Sequence, residues 1–382
     1  MADRDWEAIA PEQRETERIA GESSSYLKNA LYRFSRRKTA VFSLLVVLFL
    51  ILAGIFGPLI SSKNYYYQDL AHINTPPRLK TFQIKDQFYY ITSNIKLAEV
   101  SGRGELLNTL DRIRDDTVRN RVEYEINGER YYINYKQTPP VLEDGDGGQP
   151  PVRRFWNTRY PLGTDALGRD ILIRLLYGSR ISIAVAFVAT LVNLIIGVFY
   201  GSIAGYAGGT IGQVMMRIVD IISALPLTLY VILIMVLFDG GGFVSIIIAL
   251  GLVYWVDMAR VVRAQILSLK ERDFIVAART MNSSGWYILR RHLIVNSIGP
   301  ISVTATMQIP AAIFTEAFMS FIGLGVTAPM ASWGTMCNDA LEALRTAPYQ
   351  LAFPATAICI TMFAFNFIGD GMRDAFDPQM NR

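Results

Sequence analysis

The chain is 382 residues long, 51% hydrophobic and only 18% charged, with a mean hydropathy of +0.26. Soluble domains are about one quarter charged, so the charge deficit and apolar excess point to a membrane protein. A net charge of +4 is too small to argue for nucleic acid, and no Gly-Lys pair exists to build a GxxxxGK(S/T) phosphate loop.

The first elements set an orientation. Residues 1–39 read as a polar cytoplasmic arm ending in the basic run "RFSRRK" at 33–38. The apolar run 40–60 follows. About 20 helical residues cross a ~30 Å hydrocarbon core, so this run is a first transmembrane helix. The long polar arm and the extended apolar stretch favour this reading over a secretory signal peptide. The basic cluster holds the N-terminus in the cytoplasm.

Residues 61–159 are polar and fall on the extracytoplasmic side, with an insert at about 79–157. It reads as a small α+β unit. "VEYEINGERYYINY" (122–135) centres Asn127-Gly128 between two alternating arms, a hairpin signal because a type I′ turn needs positive φ at both central residues. "DQFYYIT" (86–92) reads as another strand. Leu106, Leu107, Leu110 and Ile113 recur at helical spacing and predict a helix between them. "LEDGDGGQPP" (142–151) reads as a solvated linker without the rest of a calcium loop.

Five more apolar runs follow, at 181–204, 218–238, 243–262, 298–322 and 351–369, making six spans. Arg217 and the arginines of 260–292 then share the cytoplasmic side with both termini, including a short tail at 379–382; Arg345 is the only basic residue in the short outer loops. The fold class is therefore an all-α polytopic membrane protein of six helices with an α+β extracytoplasmic insert. His72, His292, Cys337 and Cys359 are too scattered for a metal site or disulfide framework.

Between the fourth and fifth spans lies "ERDFIVAARTMNSSGWYILRRH" (271–292). Phe274, Ala277, Ala278 and Met281 fall on one helical face. The two alanines make that face shallow, and Arg272 leads into it. Asn282 suits the left-handed residue that ends a helix, and Ser283 or Ser284 can cap the next one. Two readings fit this helix–break–helix element: an amphipathic segment on anionic lipid, or a lever docked into a cytoplasmic partner.

Ionisable residues inside spans are functional candidates. Arg217 with Asp220, and Asp257 with Arg260, are spaced to pair on a helix face and read as structural ion pairs. Glu316 has no neighbour in sequence to pair with; it either lines a substrate pathway or caps irregular backbone. Asp165, Arg169 and Asp170 in "PLGTDALGRD" form a local charge network beside the second span, and Asp370, Arg373, Asp374 and Asp377 make contacts at the cytoplasmic end.

Four blocks carry a family resemblance: "YPLGTDALGRDILIRLLYGSRISIAVA" (160–186), "FIVAARTMNSSGWYILRRHLIVNSIGPI" (274–301), "TEAFMSFIGLGVTAPMASWGTM" (315–336) and "AFNFIGDGMRDAFDPQ" (364–379). In this order they resemble the C-type permease subunit of the oligopeptide/dipeptide (peptide/nickel) class of ABC importers, covering 160–378 well and 28–77 weakly. The resemblance implies a permease domain over 160–378, with a cytoplasmic coupling loop at about 264–297. It implies docking to an ATPase through Arg272, Phe274, Ala277, Ala278, Met281 and Asn282.

The same resemblance implies a prokaryotic inner (plasma) membrane location. It implies as partners a second related permease, two cytoplasmic ATPases, an extracytoplasmic solute-binding protein and membrane lipid. The substrate would be a peptide, with nickel or another small solute as the alternative, and the chain would be non-catalytic with no cofactor. The family's Glu-Ala-Ala stands here as Val276-Ala277-Ala278, its Gly as Asn282, and its Leu-Pro as Ile294-Val295. The last departure implies a helix that runs on past the loop. A secondary transporter would show inverted repeats and a receptor an output domain; the sequence shows neither.

Overall fold

A computed structural model describes residues 26–61, 63–237, 242–327 and 329–376. Most of the N-terminal arm, the tail at 379–382 and Asp377 lie outside the described residues.

Helix α1 (Tyr26–Arg36) leads into α2 (Lys38–Ile60) through an extended Arg37. Exposed Phe42, Leu45, Phe49 and Phe56 make α2 apolar on its outer side, as a lipid-facing helix requires. Its inner side approaches the next span closely: a Cβ at Gly54 would fall 2.3 Å from Ser179 Oγ. Small residues permit such contact between membrane helices, where packing rather than water drives association.

The insert departs from expectation. Nine strands occupy 78–156: β1 (Arg78–Ile84), β2 (Gln87–Ile91), β3 (Leu97–Val100), β4 (Leu106–Thr109), β5 (Arg114–Asp116), β6 (Arg121–Ile126), β7 (Glu129–Asn134), β8 (Val141–Asp144) and β9 (Val152–Trp156). They form two antiparallel sheets, ordered β4-β3-β2-β1-β9 and β5-β6-β7-β8. The insert is thus all-β rather than α+β, and the chain as a whole is not all-α.

The expected helix at Leu106–Ile113 is the specific error. Leu106 pairs with Val100 on β3 and is buried, while its neighbour Leu107 is exposed. Leu106 and Leu107 face opposite sides, as successive strand residues do, and the open edge of β3 overrides the helical spacing. The hairpin forms where expected, with φ of 52° at Asn127 and 81° at Gly128. Alternation along β1 and β2 sends Phe82, Ile84 and Tyr89 to a core shared with the second sheet. Leu79 and Tyr90 point the other way, against Tyr160. Because β9 pairs with β1, the insert leaves beside its point of entry.

Its root is fixed by polar ties. Tyr160 donates to Asp69 Oδ2 at 2.9 Å, and His72 Nδ1 sits 2.9 Å from the same oxygen. Burial pushes the Asp69 carboxyl up, but the Tyr160 hydrogen bond and the charges of His72 and Arg159 outweigh it and leave it below the ordinary carboxylate value. Burial and the Asp69 charge push the Tyr160 hydroxyl up to about 12.

Asp170 caps α3 (Ile171–Ala207) by accepting from Leu172 N and Ile173 N, and pairs with Lys63 at 2.9 Å. Arg169 and the buried Arg174 both bridge Asp165 to Asp339, so the expected charge network extends to a distant loop. Helix α3 starts ten residues before the expected span.

The run 218–238 is not one straight helix. It is α4 (Gly209–Ala224) and α5 (Leu227–Leu237), bent by 83°. Pro226 supplies the reason: it lacks an N–H and forces Leu225 to be extended, at φ −92° and ψ 137°. Helices α6 (Phe243–Val253) and α7 (Trp255–Lys270) meet at Tyr254 and together make the next long apolar segment.

The rest is α8 (Asp273–Thr280), α9 (Gly285–Ile288), a π turn at 289–293, α10 (Ile294–Asn296), α11 (Ile298–Phe321), α12 (Trp333–Asp339) and α13 (Tyr349–Phe376). Among the described residues, five helices are long and apolar enough to cross a membrane, and the bent pair is the sixth candidate. Helix α3 packs on α7 through Gly197, Gly201 and Gly205. A Cβ at Gly201 would fall 2.4 Å from Ala259 O. Arg37 closes the bundle by pairing with Asp374 at 2.8 Å.

Candidate functional site

The loop after α7 folds as a helix, a sharp corner and a second helix. Helix α8 buries Ile275 and Ala278 against Met258, Val262 and Ile266 of α7 and against Ile288, Leu289 and Leu293. Its opposite face stays open: Phe274 is 42% exposed, Met281 81%, and Arg272, Val276 and Ala277 are exposed too. The structure therefore divides the face read from sequence. Phe274, Ala277 and Met281 form an apolar ridge. Ala278, at 8% exposure, turns into the chain's own core and is not part of that ridge. The reason is angular: at ~100° per residue, Ile275 and Ala278 lie on one strip, and Ile275 anchors it.

The corner is built by hydrogen bonds. Ser283 N donates to Ala278 O at 3.1 Å and Asn282 N to Arg279 O at 2.9 Å. This six-to-one and five-to-two pair is a Schellman motif, which needs a left-handed residue at its turn. Asn282 takes that position, with φ of 57°. Ser284, not Ser283, caps α9 by accepting from Tyr287 N at 3.2 Å.

The corner also rests on the end of α3. A Cβ at Gly285 would lie 2.6 Å from the Tyr206 hydroxyl, and Lys270 donates to Tyr206 O at 2.6 Å. Beyond the corner, the chain stays helical through the π turn and α10, as Ile294-Val295 in place of Leu-Pro implies. Exposed Trp286 and Tyr287 extend the apolar surface; the sequence reading left both out of the face, although they flank the same corner.

Glu316 is fully buried. Ser182 donates to its Oε2 and Ser320 to its Oε1, each at 2.8 Å. Ser182 Oγ in turn accepts from Trp333 N at 3.3 Å, and Ser320 Oγ from Val326 N at 3.3 Å. The carboxylate thus ties α3 and α11 to the irregular stretch before α12. It does not face an open surface.

The span charges behave oppositely. Arg260 reaches Asp220 at 3.3 Å and Asp257 at 3.6 Å, while Arg217 lies 3.9 Å from Asp220. The expected pairs exist, but Arg260 joins them into one cluster, and all four side chains are exposed. Among the described residues no cluster of His, Cys, Asp and Glu is able to hold a metal ion.

Residues 197–382 match the family described as binding-protein-dependent transport system inner membrane component, and residues 25–77 match the N-terminal TM domain of oligopeptide transport permease C. The oligopeptide transport system permease protein OppC of Bacillus subtilis (strain 168) is 36% identical over 377 residues, covering 99% of this chain and 97% of that protein. The dipeptide transport system permease protein DppC of the same organism is 47% identical over 234 residues, covering 61% of this chain and 71% of that protein. The OppC protein of Haemophilus influenzae (strain ATCC 51907 / DSM 11121 / KW20 / Rd) is 43% identical over 241 residues, covering 63% and 77%.

Proposed function

The chain belongs to the oligopeptide transport permease family, and on that premise we propose that it forms half of the membrane pathway of an ATP-driven importer for peptides. The observation that carries this reading is near-complete, reciprocal similarity to an oligopeptide permease, insert region included. The relatives are named for oligopeptides and dipeptides, which favours peptides over nickel or another small solute.

Six crossings follow if the bent pair α4–α5 traverses the membrane. Both termini and the 271–292 loop then share one side, and the β insert stands on the other. The basic clusters support the cytoplasm of a prokaryotic cell as the shared side. A second, related permease would complete the pathway, and an extracytoplasmic solute-binding protein would deliver the peptide. Two cytoplasmic ATPases would hydrolyse ATP; this chain would do no bond chemistry.

Arg272, Phe274, Ala277, Met281 and Asn282 make the docking element. The ridge of Phe274, Ala277 and Met281 enters an ATPase groove, and Ala278 and Ile275 fasten it to α7 so that ATPase motion moves the bundle as a body. Glu316 acts as a structural tie rather than a substrate ligand. The test is reconstitution of the assembled complex in vesicles with ATP inside. ATP-dependent uptake of peptide supplied on the binding protein is expected. ATP turnover without movement of any peptide would overturn the reading.

A further inference from the structure

Resting on the peptide-importer reading, we infer that Arg217, Asp220, Asp257 and Arg260 form a wall of the translocation pathway that meets the charged ends of the passing peptide. Asp220 lies eleven residues from Gly209 at the start of α4, and Arg260 ten residues from Lys270 at the end of α7. At ~1.5 Å rise per residue both sit roughly 15 Å from the helix ends beside the docking loop. The two estimates agree, and the Arg260–Asp220 contact confirms the shared level.

These groups lie at or just inside the inner ends of apolar segments yet are not buried. Asp257 is 73% exposed and Arg217 83% at the side chain. Charged groups on membrane-spanning helices are costly against lipid and face protein or water. The surface of α7 says the same, whereas α4 exposes Ile218 and Ile221 beside Arg217 and Asp220. The exposed strip of α7 runs Asp257, Arg260, Ala264, Ser268, with no large apolar side chain. The exposed strips of α5 (Leu229, Leu233, Val236) and α13 (Ile360, Phe363, Phe367) are those of lipid-facing helices.

The chemistry fits a zwitterion. Two carboxylates and two guanidinium groups balance to zero, so neither sign of charge is trapped. Their contacts are long and solvated, and such pairs contribute little. A peptide ammonium replaces Arg260 at Asp220 or Asp257, and a peptide carboxylate takes the place of an acid at Arg217 or Arg260. Ser223, which accepts from Arg260 at 2.8 Å, steadies the guanidinium between exchanges.

Two measurements test this in the assembled complex. First, Asp257→Cys is made in a Cys337→Ala, Cys359→Ala background and treated with a charged, membrane-impermeant thiol reagent. Labelling faster than at Phe363→Cys, and slowed by saturating trialanine, is expected. A rate as slow as at Phe363→Cys, or one that trialanine leaves unchanged, overturns the inference; either result fits a lipid-facing or permease-to-permease contact. Second, uptake of a lysine-containing and a glutamate-containing tripeptide is compared per amount of purified complex. Asp220→Asn lowers, and Arg260→Gln raises, the lysine-to-glutamate ratio by roughly two- to fivefold, the size of one exposed ion pair. Parallel changes for both peptides overturn the inference. A wild-type complex that moves no peptide overturns the importer reading instead, while labelling still decides whether the face is wet.

Discussion

The amide of Ser283 donates to the carbonyl of Ala278 at 3.1 Å, one of the two bonds that reverse the chain at the end of α8. It joins the buried strip of α8 to the corner, so the exposed ridge and the packed core of the same short helix are rigidly related.

Asn282 is the residue the corner depends on. Its φ of 57° is left-handed, which costs an ordinary side chain ~1–2 kcal/mol. Asn282→Gly is expected to keep peptide-stimulated ATPase activity, and Asn282→Val to reduce it while the protein still inserts and assembles. Equal activity in the two variants would show that the corner's geometry does not matter.

Glu316 separates a tie from a ligand. Glu316→Gln keeps one acceptor oxygen and replaces the other with an NH2, which donates to a serine hydroxyl instead of accepting from it; uptake of zwitterionic, cationic and anionic peptides should fall to a similar extent, without a charge preference. Glu316→Leu strands both hydroxyls at about 1–3 kcal/mol each and should lower thermal stability in detergent. A selective loss of cationic peptide transport in Glu316→Gln would restore the pathway role.

The α3–α7 seam tolerates no side chain at Gly201. Its Cβ would meet backbone, Ala259 O at 2.4 Å, so the neighbour has no rotamer by which to give way. Gly201→Val should cost at least the ~1–3 kcal/mol typical of overpacking, read as reduced yield and a lowered melting temperature. Exposed Ile211→Val is the neutral control.

Asp69 gives the insert's root a pH response. Its carboxyl is held below its ordinary value in the folded protein, with burial opposed by Tyr160, His72 and Arg159. A group with a depressed folded value stabilises fully above its unfolded value, near pH 4, and loses that contribution as pH falls through the folded one. The protection of amides at 69–75, the slowing of exchange relative to an unstructured chain at the same pH, should therefore fall on acidification below about pH 4. In Asp69→Asn it should already be low at neutral pH. Protection that is flat with pH in the wild type would remove Asp69 from this role.

What was legible in the sequence follows from what is local. The Asn127-Gly128 turn and the Asn282 corner each depend on a few adjacent residues, and each is found. The strand at Leu106–Thr109 depends on β3, remote from the spacing that suggested a helix. Ala278 and Met281 look alike on a helical wheel until Ile275 fixes which side packs. Which of the two settings Glu316 takes was not legible for the same reason: Ser182, 134 positions away, encloses it. The bend at Pro226 was signalled by the proline itself, but its size of 83° depends on packing.

The most direct test of the account places a photo-crosslinking amino acid on the ridge. Ala277→p-benzoylphenylalanine is expected to give an adduct with the ATPase chain on illumination of the assembled complex. The same substitution at exposed Ser93, on the insert, is expected to give none with that chain. An adduct from position 277 with lipid alone would contradict the claim that this loop is the contact through which ATP hydrolysis drives transport.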